Sequence, residues 1–246
     1  MTTMAIVMIH YWMGLVAWIC FLQTTALQPN VNVSRSSSYE KSILEKGGGA
    51  IYRQSILTSQ ELSTIQKEVS LLMNQLNDET ESSVASNRQG ASLSVDSKTV
   101  NILKEGSLCN FVRKVTGEPT MVLSSNLPVE VRLYEKTGAS MAWHEDDVLY
   151  DPPQIEAVFT LENTSDCITM WKQGKNQIIQ SQETDPNSVL LLQSGGPLHC
   201  VTSLKRGRRV ILKCAYTTKN ATFLDGIHKD QFGAPARKTK KKNKRR

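Results

Sequence analysis

The sequence predicts a mainly β protein of the α+β class, in which two helices precede a sandwich or barrel of about eight short strands. From about residue 120 onward, short β-branched runs are separated by Gly, Pro, Asn and Asp. Before that point, two segments carry apolar residues at helical spacing. The hydrophobic content of 39% suffices for one core in a chain of 246 residues.

The N-terminal residues form an apolar leader. Residues 4–22 contain no Asp, Glu, Lys or Arg, and a membrane span takes about 20 apolar residues. The "TTA" at 24–26 places small residues before a cleavage point after Ala26. We predict that 1–26 is a signal peptide or an uncleaved signal anchor, with a buried core helix as the remaining alternative.

The leader sets the expected compartment. It predicts the secretory pathway, in the ER or Golgi lumen, with membrane contact only if it stays uncleaved. "TALQP" also resembles the cleavage motif of bipartite plastid-targeting leaders, which leaves the plastid as a second destination. Glycosylation motifs at Asn32, Asn163 and Asn220 agree with the secretory route.

A helical support region is predicted at 51–118, after a polar linker at 27–50. Thr58 and Glu61 form a capping box, followed by apolar residues at helical spacing from Leu62 to Leu76. The polar stretch 77–92 is predicted to be a mobile loop and a candidate lid. A second helix is expected over about 100–116, ending at Gly117.

The β domain is predicted at 119–218. Its strands are the runs "TMVLSS", "VEVRLYEK", "IEAVFTLE", "SVLLLQS" and "RRVILKCAYTT", with shorter ones between them. Residues 219–246 are polar and then basic, and we predict a disordered tail.

The tail accounts for the basic character of the chain. Residues 237–246 carry eight positive charges, so the remainder has a net charge of 6 − 8 = −2. The tail could bind nucleic acid or an anionic membrane, act as a nuclear or ER-retrieval signal, or stay solvated. The body itself carries no excess of positive charge for a nucleic-acid surface.

Four cysteines remain once the leader is set aside: Cys109, Cys167, Cys200 and Cys214. No pair has CxxC spacing, which disfavours a structural zinc site. Disulfides and buried free thiols both stay open.

The segment "WHEDD" at 143–147 raises the question of a metal site. His144 and Asp146 lie two apart, so on an extended segment they point to the same side. His199 is the only other histidine of the predicted folded body. Two imidazoles and one carboxylate form the facial triad of non-haem Fe(II) oxygenases. A solvated acidic turn with structural histidines is the alternative.

An arginine at the start of the last long strand adds to this pattern. Arg209 lies ten residues after His199, and a guanidinium binds a carboxylate through two parallel hydrogen bonds. An exposed basic turn is the alternative for Arg208 and Arg209.

The stretch from Val129 to Thr217 resembles the Fe(II)/2-oxoglutarate dioxygenases, especially the prolyl 4-hydroxylase branch. The similarity rests on "RLYEKTGASMAWHED", "VFTLEN" and "HCVTSLKRGRRVILKCAY". It implies a double-stranded β-helix, also called a jelly roll or cupin-like core, with the N-terminal helices packed on it. It also implies Fe(II) and 2-oxoglutarate as cofactors, dioxygen as co-substrate and ascorbate as an optional addition.

The resemblance assigns roles to residues of this chain. His144, Asp146 and His199 are expected to bind the metal, and Arg209, Tyr134 and Thr160 to bind 2-oxoglutarate. Trp143 and Asp147 are expected beside the mouth of the site, and Tyr150 either stacks on a ligand or packs at the rim. By strand parity Lys213 lies on the same side as Arg209, where it would contact substrate or, as we favour, extend to water.

The implied function is hydroxylation of a prolyl-type residue in a peptide or protein substrate. A nucleic-acid demethylase of the same superfamily is a second interpretation, based on the basic tail. A tethered, non-catalytic binding module with a degenerate site is a third.

Overall fold

The computed structural model describes residues 49–80, 82–174 and 176–224. The predicted leader, all but the last two residues of the predicted linker and the tail from residue 225 lie outside the described residues. Within the described ranges, no helix combines the length and the apolar content needed to cross a membrane.

The start of the first predicted helix is confirmed in α1, Ser59–Ser70, but the helix ends before Leu72 and Leu76, which the predicted spacing included. Thr58 accepts a hydrogen bond from the backbone N–H of Glu61, and the Glu61 carboxylate accepts one from the backbone of Thr58. Ile65 and Val69 on its inner face are buried. A 3-10 turn follows at Met73–Gln75.

The second predicted helix is two helices, α2 (Lys98–Glu105) and α3 (Ser107–Thr116). The break lies at Gly106, where the Glu61 carboxylate inserts and accepts a hydrogen bond of 2.9 Å from the backbone N–H of Ser107. A Cβ on Gly106 would lie 2.5 Å from the backbone carbonyl oxygen of Ile102 and 2.3 Å from the Glu61 carboxylate, so a larger residue would displace the helix end. The predicted end at Gly117 is confirmed, with a left-handed φ of 68°.

Fifteen strands lie within the described residues. They are β1 (Ala50–Gln54), β2 (Asn77–Asp78), β3 (Ala85–Ser86), β4 (Gln89–Ser92), β5 (Met121–Leu123), β6 (Glu130–Tyr134), β7 (Ser140–His144), β8 (Tyr150–Asp151), β9 (Ile155–Asn163), β10 (Thr169–Gln173), β11 (Ile178–Gln182), β12 (Ser188–Gln193), β13 (His199–Val201), β14 (Arg209–Thr218) and β15 (Thr222–Phe223).

Two antiparallel sheets form the core of the fold. The main sheet has the order β1-β12-β9-β14-β6-β4-β2, with β5 also paired to β14, and the second sheet has the order β11-β10-β13-β7-β3. Strands β8 and β15 form a separate ribbon. The packed sheets, with helices on one side, form the predicted double-stranded β-helix.

The two faces of the main sheet have different neighbours because side chains alternate along each strand. The face with Val131, Phe159 and Leu212 packs against the helices in a large apolar cluster. The face with Tyr134 and Ile211 packs against the second sheet. The candidate site lies between the two sheets: Tyr134, Arg209 and Lys213 come from this inner face, and the two histidines come from the second sheet.

The domain boundaries differ from the prediction. Strand β1 begins at Ala50, inside the predicted linker, and pairs with β12. Strands β2, β3 and β4 lie within 77–92, which was predicted to be a mobile loop, and β4 pairs with β6. Residues 219–224 of the predicted tail include β15, which pairs with β8. These short strands depend on distant partners, so their own composition does not reveal them.

The four described cysteines are buried free thiols. Burial raises the pKa of all four thiols, most strongly that of Cys214. These thiols are therefore poorly nucleophilic, and they form no disulfide.

Candidate metal centre and inner chamber

The structure brings together the three residues predicted to bind a metal. His144 is the last residue of β7 and His199 is the first of β13. These strands pair so that the two histidines lie directly opposite each other. Asp146 follows β7 by two residues, on the same side as His144.

One donor atom from each residue can serve a single metal ion. The three candidate ligand atoms lie within 4.8 Å of one another. The imidazole centroids are 4.1 Å apart. Nε2 of His199 lies 3.5 Å from Oδ2 of Asp146, which is too long for an ordinary hydrogen bond. Nε2 of His144 and Oδ2 of Asp146 are buried without a hydrogen-bond partner.

Both histidines are prepared to act as neutral ligands. Nδ1 of His144 lies 2.9 Å from the carbonyl oxygen of Ala142, and Nδ1 of His199 lies 3.2 Å from that of Pro197. Because a carbonyl oxygen only accepts, each Nδ1 donates and each Nε2 keeps its lone pair. Burial lowers the pKa of His144 and lowers that of His199 to about 4, which keeps the rings neutral near pH 7.

The second oxygen of Asp146 is held by Lys213. Nζ of Lys213 donates to Oδ1 at 2.7 Å and lies 3.8 Å from Oε2 of Glu156. Burial opposes ionisation of Asp146, but Lys213 and then His199 outweigh it, so the pKa of Asp146 lies well below its ordinary value. The favoured prediction that Lys213 extends to water is wrong, because its ammonium pairs with the buried carboxylates of Asp146 and Glu156.

Arg209 lines a small inner chamber that the three candidate metal ligands also line. The chamber is lined by Tyr134, Met141, Val158, Thr169, His199, Arg209 and Ile211, among others. Arg209 is 1% exposed, and its Nε and Nη1 have no hydrogen-bond partner. Burial lowers the pKa of Arg209. Two donors of a buried guanidinium are therefore available to an anion.

The turn before β14 sets the position of Arg209. Gly207 has a φ of 75°, and a Cβ there would lie 2.1 Å from the carbonyl oxygen of Thr164. Arg208, the neighbouring residue, pairs with Glu162 at a half-exposed site. Only Arg209 of the two points into the fold.

The two other predicted chamber residues differ in position. Tyr134 lies directly opposite Arg209 across β6 and β14, and it lines the chamber. Thr160 is buried, but its hydroxyl donates to Thr184 at 3.0 Å and it is not among the chamber-lining residues. The threonine hydroxyl in the chamber is that of Thr169 on β10, which is buried without a hydrogen-bond partner.

The sequence prediction missed several residues of the site. Arg88 lines the chamber and forms a buried ion pair with Glu79, inside the stretch predicted to be a loop. Thr169 and Glu156 were also missed. The strand of Thr169 carries no motif, and Glu156 precedes the "VFTLEN" stretch of β9, so only strand pairing shows which way these residues face.

An outer cleft of about 370 Å³ opens beside the triad. It is bordered by the segment 82–84, Leu127 and Pro128, and by charged residues of the main sheet. Five carboxylates and two basic side chains line it: Glu130, Glu145, Asp146, Asp147 and Glu156, with Arg132 and Lys213. Both basic groups pair with carboxylates of the same cleft.

Two aromatic residues near the site, Tyr150 and Trp143, differ in their exposure to solvent. Tyr150 is buried, with its hydroxyl 2.7 Å from that of Ser124 and its ring edge-on to Phe223. It therefore packs at the rim, the second of its two predicted roles. Trp143 is 38% exposed, and the ammonium of Lys172 lies 5.6 Å from its ring centroid.

Comparison with known proteins identifies the fold. No family model matches the chain, and no curated protein is detectably similar in sequence. Among solved structures, a Pseudomonas putida prolyl-4-hydroxylase matches with a TM-score of 0.58 at 12% identity, covering 74% of this chain and 98% of that one.

Two further structures are similar. A Trichoplax adhaerens prolyl hydroxylase in complex with a hypoxia-inducible factor peptide fragment has a TM-score of 0.57 at 12% identity, covering 74% and 88% of the two chains. HygX from Streptomyces hygroscopicus, with nickel and 2-oxoglutarate bound, has a TM-score of 0.58 at 16% identity, covering 82% and 95%. The chain has the fold of the 2-oxoglutarate and Fe(II) oxygenases.

Proposed function

We propose that the protein is an Fe(II)- and 2-oxoglutarate-dependent dioxygenase that hydroxylates an unactivated C–H bond. One observation carries the proposal. Around a single chamber, two sets of buried polar atoms lack partners: a metal-binding set on His144 and Asp146, and an anion-binding set on Arg209. Leaving such groups unpaired costs about 1–3 kcal/mol each, so their grouping indicates a ligand.

The donor set fits Fe(II). Two neutral imidazoles and one carboxylate are the ligands of the facial triad, which leaves other coordination positions open. His144, Asp146 and His199 would hold the ion, with Lys213 fixing which oxygen of Asp146 is turned to it. With 2-oxoglutarate and dioxygen, such a centre supplies the oxidant for hydroxylation and yields succinate and carbon dioxide.

The lining of the chamber suits a dicarboxylate, but its free volume is only about 30 Å³, so the lining side chains would have to move apart to admit one. Arg209 would bind the carboxylate far from the metal through its positive charge and a hydrogen bond from Nε or Nη1, neither of which has a partner in the protein. The hydroxyls of Tyr134 and Thr169 lie along the same chamber. The apolar side chains of Val158 and Ile211 shield this ion pair from water, which strengthens it.

For the substrate we propose a prolyl-type residue of a peptide or protein. Two solved prolyl hydroxylases share the fold, and one of them holds a peptide. The outer cleft adjoins the triad and is open to a chain segment. Its five carboxylates and two basic groups disfavour a polyanion such as nucleic acid, which argues against the demethylase interpretation.

The test is substrate-dependent turnover. The purified protein would be incubated with Fe(II), 2-oxoglutarate, ascorbate and a library of proline-containing peptides. We expect succinate to form in step with a mass gain of one oxygen atom on a prolyl residue. Succinate formation with no modified peptide would remove the prolyl assignment only. A wild-type protein that binds neither metal nor 2-oxoglutarate would support the non-catalytic binding module.

We also propose that the protein passes through the secretory pathway. Of the two glycosylation motifs in the described residues, only one is free to react. The amide of Asn163 donates to the carbonyl oxygen of Thr184 at 2.8 Å, whereas Asn220 lies in an exposed turn after β14. In protein that carries Asn32→Gln, expression in secretory cells should give a glycan that Asn220→Gln removes and Asn163→Gln does not. An unglycosylated protein that remains in the cytosol would contradict this route.

A further inference from the structure

The segment between β2 and β4 inserts a second arginine into the inner chamber. Arg88 is 1% exposed. Its Nη2 donates to Oε1 of Glu79 at 2.6 Å and its Nε pairs with the other oxygen of the same carboxylate. This is the bidentate geometry that fixes a guanidinium in one orientation. Burial opposes its charge, but Tyr134 and Glu79 outweigh that and raise the pKa of Arg88.

The remaining donor of Arg88 reaches Tyr134. Its Nη1 lies 3.0 Å from the Tyr134 hydroxyl and 3.0 Å from Sδ of Met141. Because a guanidinium only donates, the oxygen of Tyr134 accepts. The tyrosine's own hydrogen has only Sδ of Met141 as acceptor, at the long distance of 4.0 Å, and thioether sulfur is a weak acceptor that a carboxylate would replace. The guanidinium carbons of Arg88 and Arg209 lie 5.6 and 5.7 Å from the centroid of the Tyr134 ring.

This arrangement differs from an ordinary structural ion pair. A buried pair stabilises a fold little compared with apolar residues of the same volume. Here it directs one donor at a tyrosine that lies opposite Arg209, in the chamber where two donors of Arg209 are unpaired. The same segment also borders the outer cleft through Ser82, Ser83 and Val84.

We propose that Arg88, held by Glu79, is a positioning residue for the chamber's anionic ligand. It fixes the Tyr134 hydroxyl as a hydrogen-bond donor toward a carboxylate bound at Arg209. The proposal rests on the proposed function, since that ligand is taken to be 2-oxoglutarate.

The experiment measures binding rather than turnover. The dissociation constant of 2-oxoglutarate for the Mn(II)-loaded full chain would be determined by calorimetry. The variants are Tyr134→Phe, the charge-neutral pair Glu79→Gln with Arg88→Met, and all three changes together. Tyr134→Phe removes one oxygen, and the paired change leaves no buried carboxylate without a partner.

If Arg88 acts through the tyrosine hydroxyl, Tyr134→Phe and the paired variant should each weaken 2-oxoglutarate binding about tenfold, the effect of one hydrogen bond to a charged group. The triple variant should show no further loss of affinity, because the effects of substitutions within one hydrogen-bond network are not additive. Arg88→Lys keeps the charge but loses the bidentate contact with Glu79. It should therefore weaken 2-oxoglutarate binding although Glu79 is unchanged.

A matched control is the ion pair of Arg208 and Glu162, which lies beside Arg209 but half-exposed. Arg208→Met with Glu162→Gln should leave 2-oxoglutarate affinity unchanged. Thermal unfolding would show that each variant is folded. If the paired variant does not fold, Arg88→Lys and Tyr134→Phe, alone and combined, provide the same cycle.

The outcomes separate the two proposals. Wild-type protein that binds no 2-oxoglutarate overturns the proposed function. Wild-type binding with unchanged affinity in the folded variants overturns only the role of Arg88. If the affinity losses of the single and paired variants multiply in the triple variant, Arg88 does not act through the Tyr134 hydroxyl.

Discussion

The two faces of strand β14 serve different purposes although their residues alternate along one backbone. Val210, Leu212 and Tyr216 face the helices and belong to the large apolar cluster. Arg209 and Lys213 face the second sheet, beside the candidate metal ligands His144, Asp146 and His199. The Tyr216 hydroxyl donates to the carbonyl oxygen of Leu103 at 2.6 Å, so even this polar group of the helix side is satisfied.

The space between the two sheets, which the inner face of β14 lines, contains most of the buried polar atoms without hydrogen-bond partners. Among the described residues, seven buried side-chain atoms lack a hydrogen-bond partner, and five of them belong to His144, Asp146, Thr169 and Arg209. A core optimised only for stability would not collect these atoms in one chamber. The helix side therefore provides stability, and the inner side gives up some of it to bind ligands. Substitutions on the two faces should separate stability from binding.

The largest effect is expected on the helix side. Phe159 is fully buried in the apolar cluster. Phe159→Ala should lower the free energy of unfolding by about 3–5 kcal/mol through lost burial and a cavity. Urea denaturation measures this loss. Folded protein should keep its 2-oxoglutarate affinity, and a large affinity loss would show that the two faces are coupled.

Lys213 tests how the inner face balances its charges. Lys213→Met leaves Asp146 and Glu156 without their cation, so the metal-free protein should lose about 3 kcal/mol of stability. Because a bound dication supplies the missing positive charge, Mn(II) should raise the melting temperature more in the variant than in wild type. Melting curves with and without Mn(II) decide this, and equal metal-induced shifts would argue against Lys213 serving the metal centre.

Substitution of Arg209 should have the opposite pattern to Phe159→Ala: a loss of 2-oxoglutarate affinity without a loss of stability. Arg209→Met removes a buried guanidinium with two unpaired donors, so stability should be unchanged or higher. The affinity for 2-oxoglutarate should fall by about 2–3 kcal/mol, the value of hydrogen bonds to a charged group. Calorimetry and urea denaturation report the two quantities separately. A destabilised variant with normal affinity would place Arg209 among the structural residues.

The smallest contrast comes from two threonines. Thr160→Val breaks the bond to Thr184 and should cost about 1 kcal/mol of stability with no change in 2-oxoglutarate affinity. Thr169→Val removes a hydroxyl that has no protein partner, so it should weaken 2-oxoglutarate binding by about 1 kcal/mol without loss of stability. If Thr160→Val alone weakened binding, the original assignment of Thr160 to the chamber would be restored.

The sequence predicted what depends on local pattern. The five long β-branched runs are strands, and the capping box at Thr58 begins a helix. The two-residue period correctly placed His144 and Asp146 on one side, and Lys213 on the side of Arg209. The metal site was predictable because His144 and Asp146 lie two residues apart and His199 begins a short strand.

Features that depend on distant contacts were not predictable. The helix break at Gly106 is caused by the Glu61 carboxylate from α1. Arg88 lies in a polar stretch whose composition indicates a loop, and its burial depends on Glu79 and on pairing of β4 with β6. The alternation of side chains along the strand predicted which side Lys213 faces. The position of its ammonium depends on Asp146 and Glu156, which lie far away in sequence.

The central claim is that one chamber holds a metal ion and 2-oxoglutarate together. The most direct test is an anaerobic titration of the purified protein with Fe(II) and 2-oxoglutarate, followed by visible absorbance. We predict a weak charge-transfer band that requires both ligands, is absent in His144→Ala and weakens in Arg209→Met, with Arg208→Met as the unaffected control. Wild-type protein that gives no band and binds neither ligand would contradict the account.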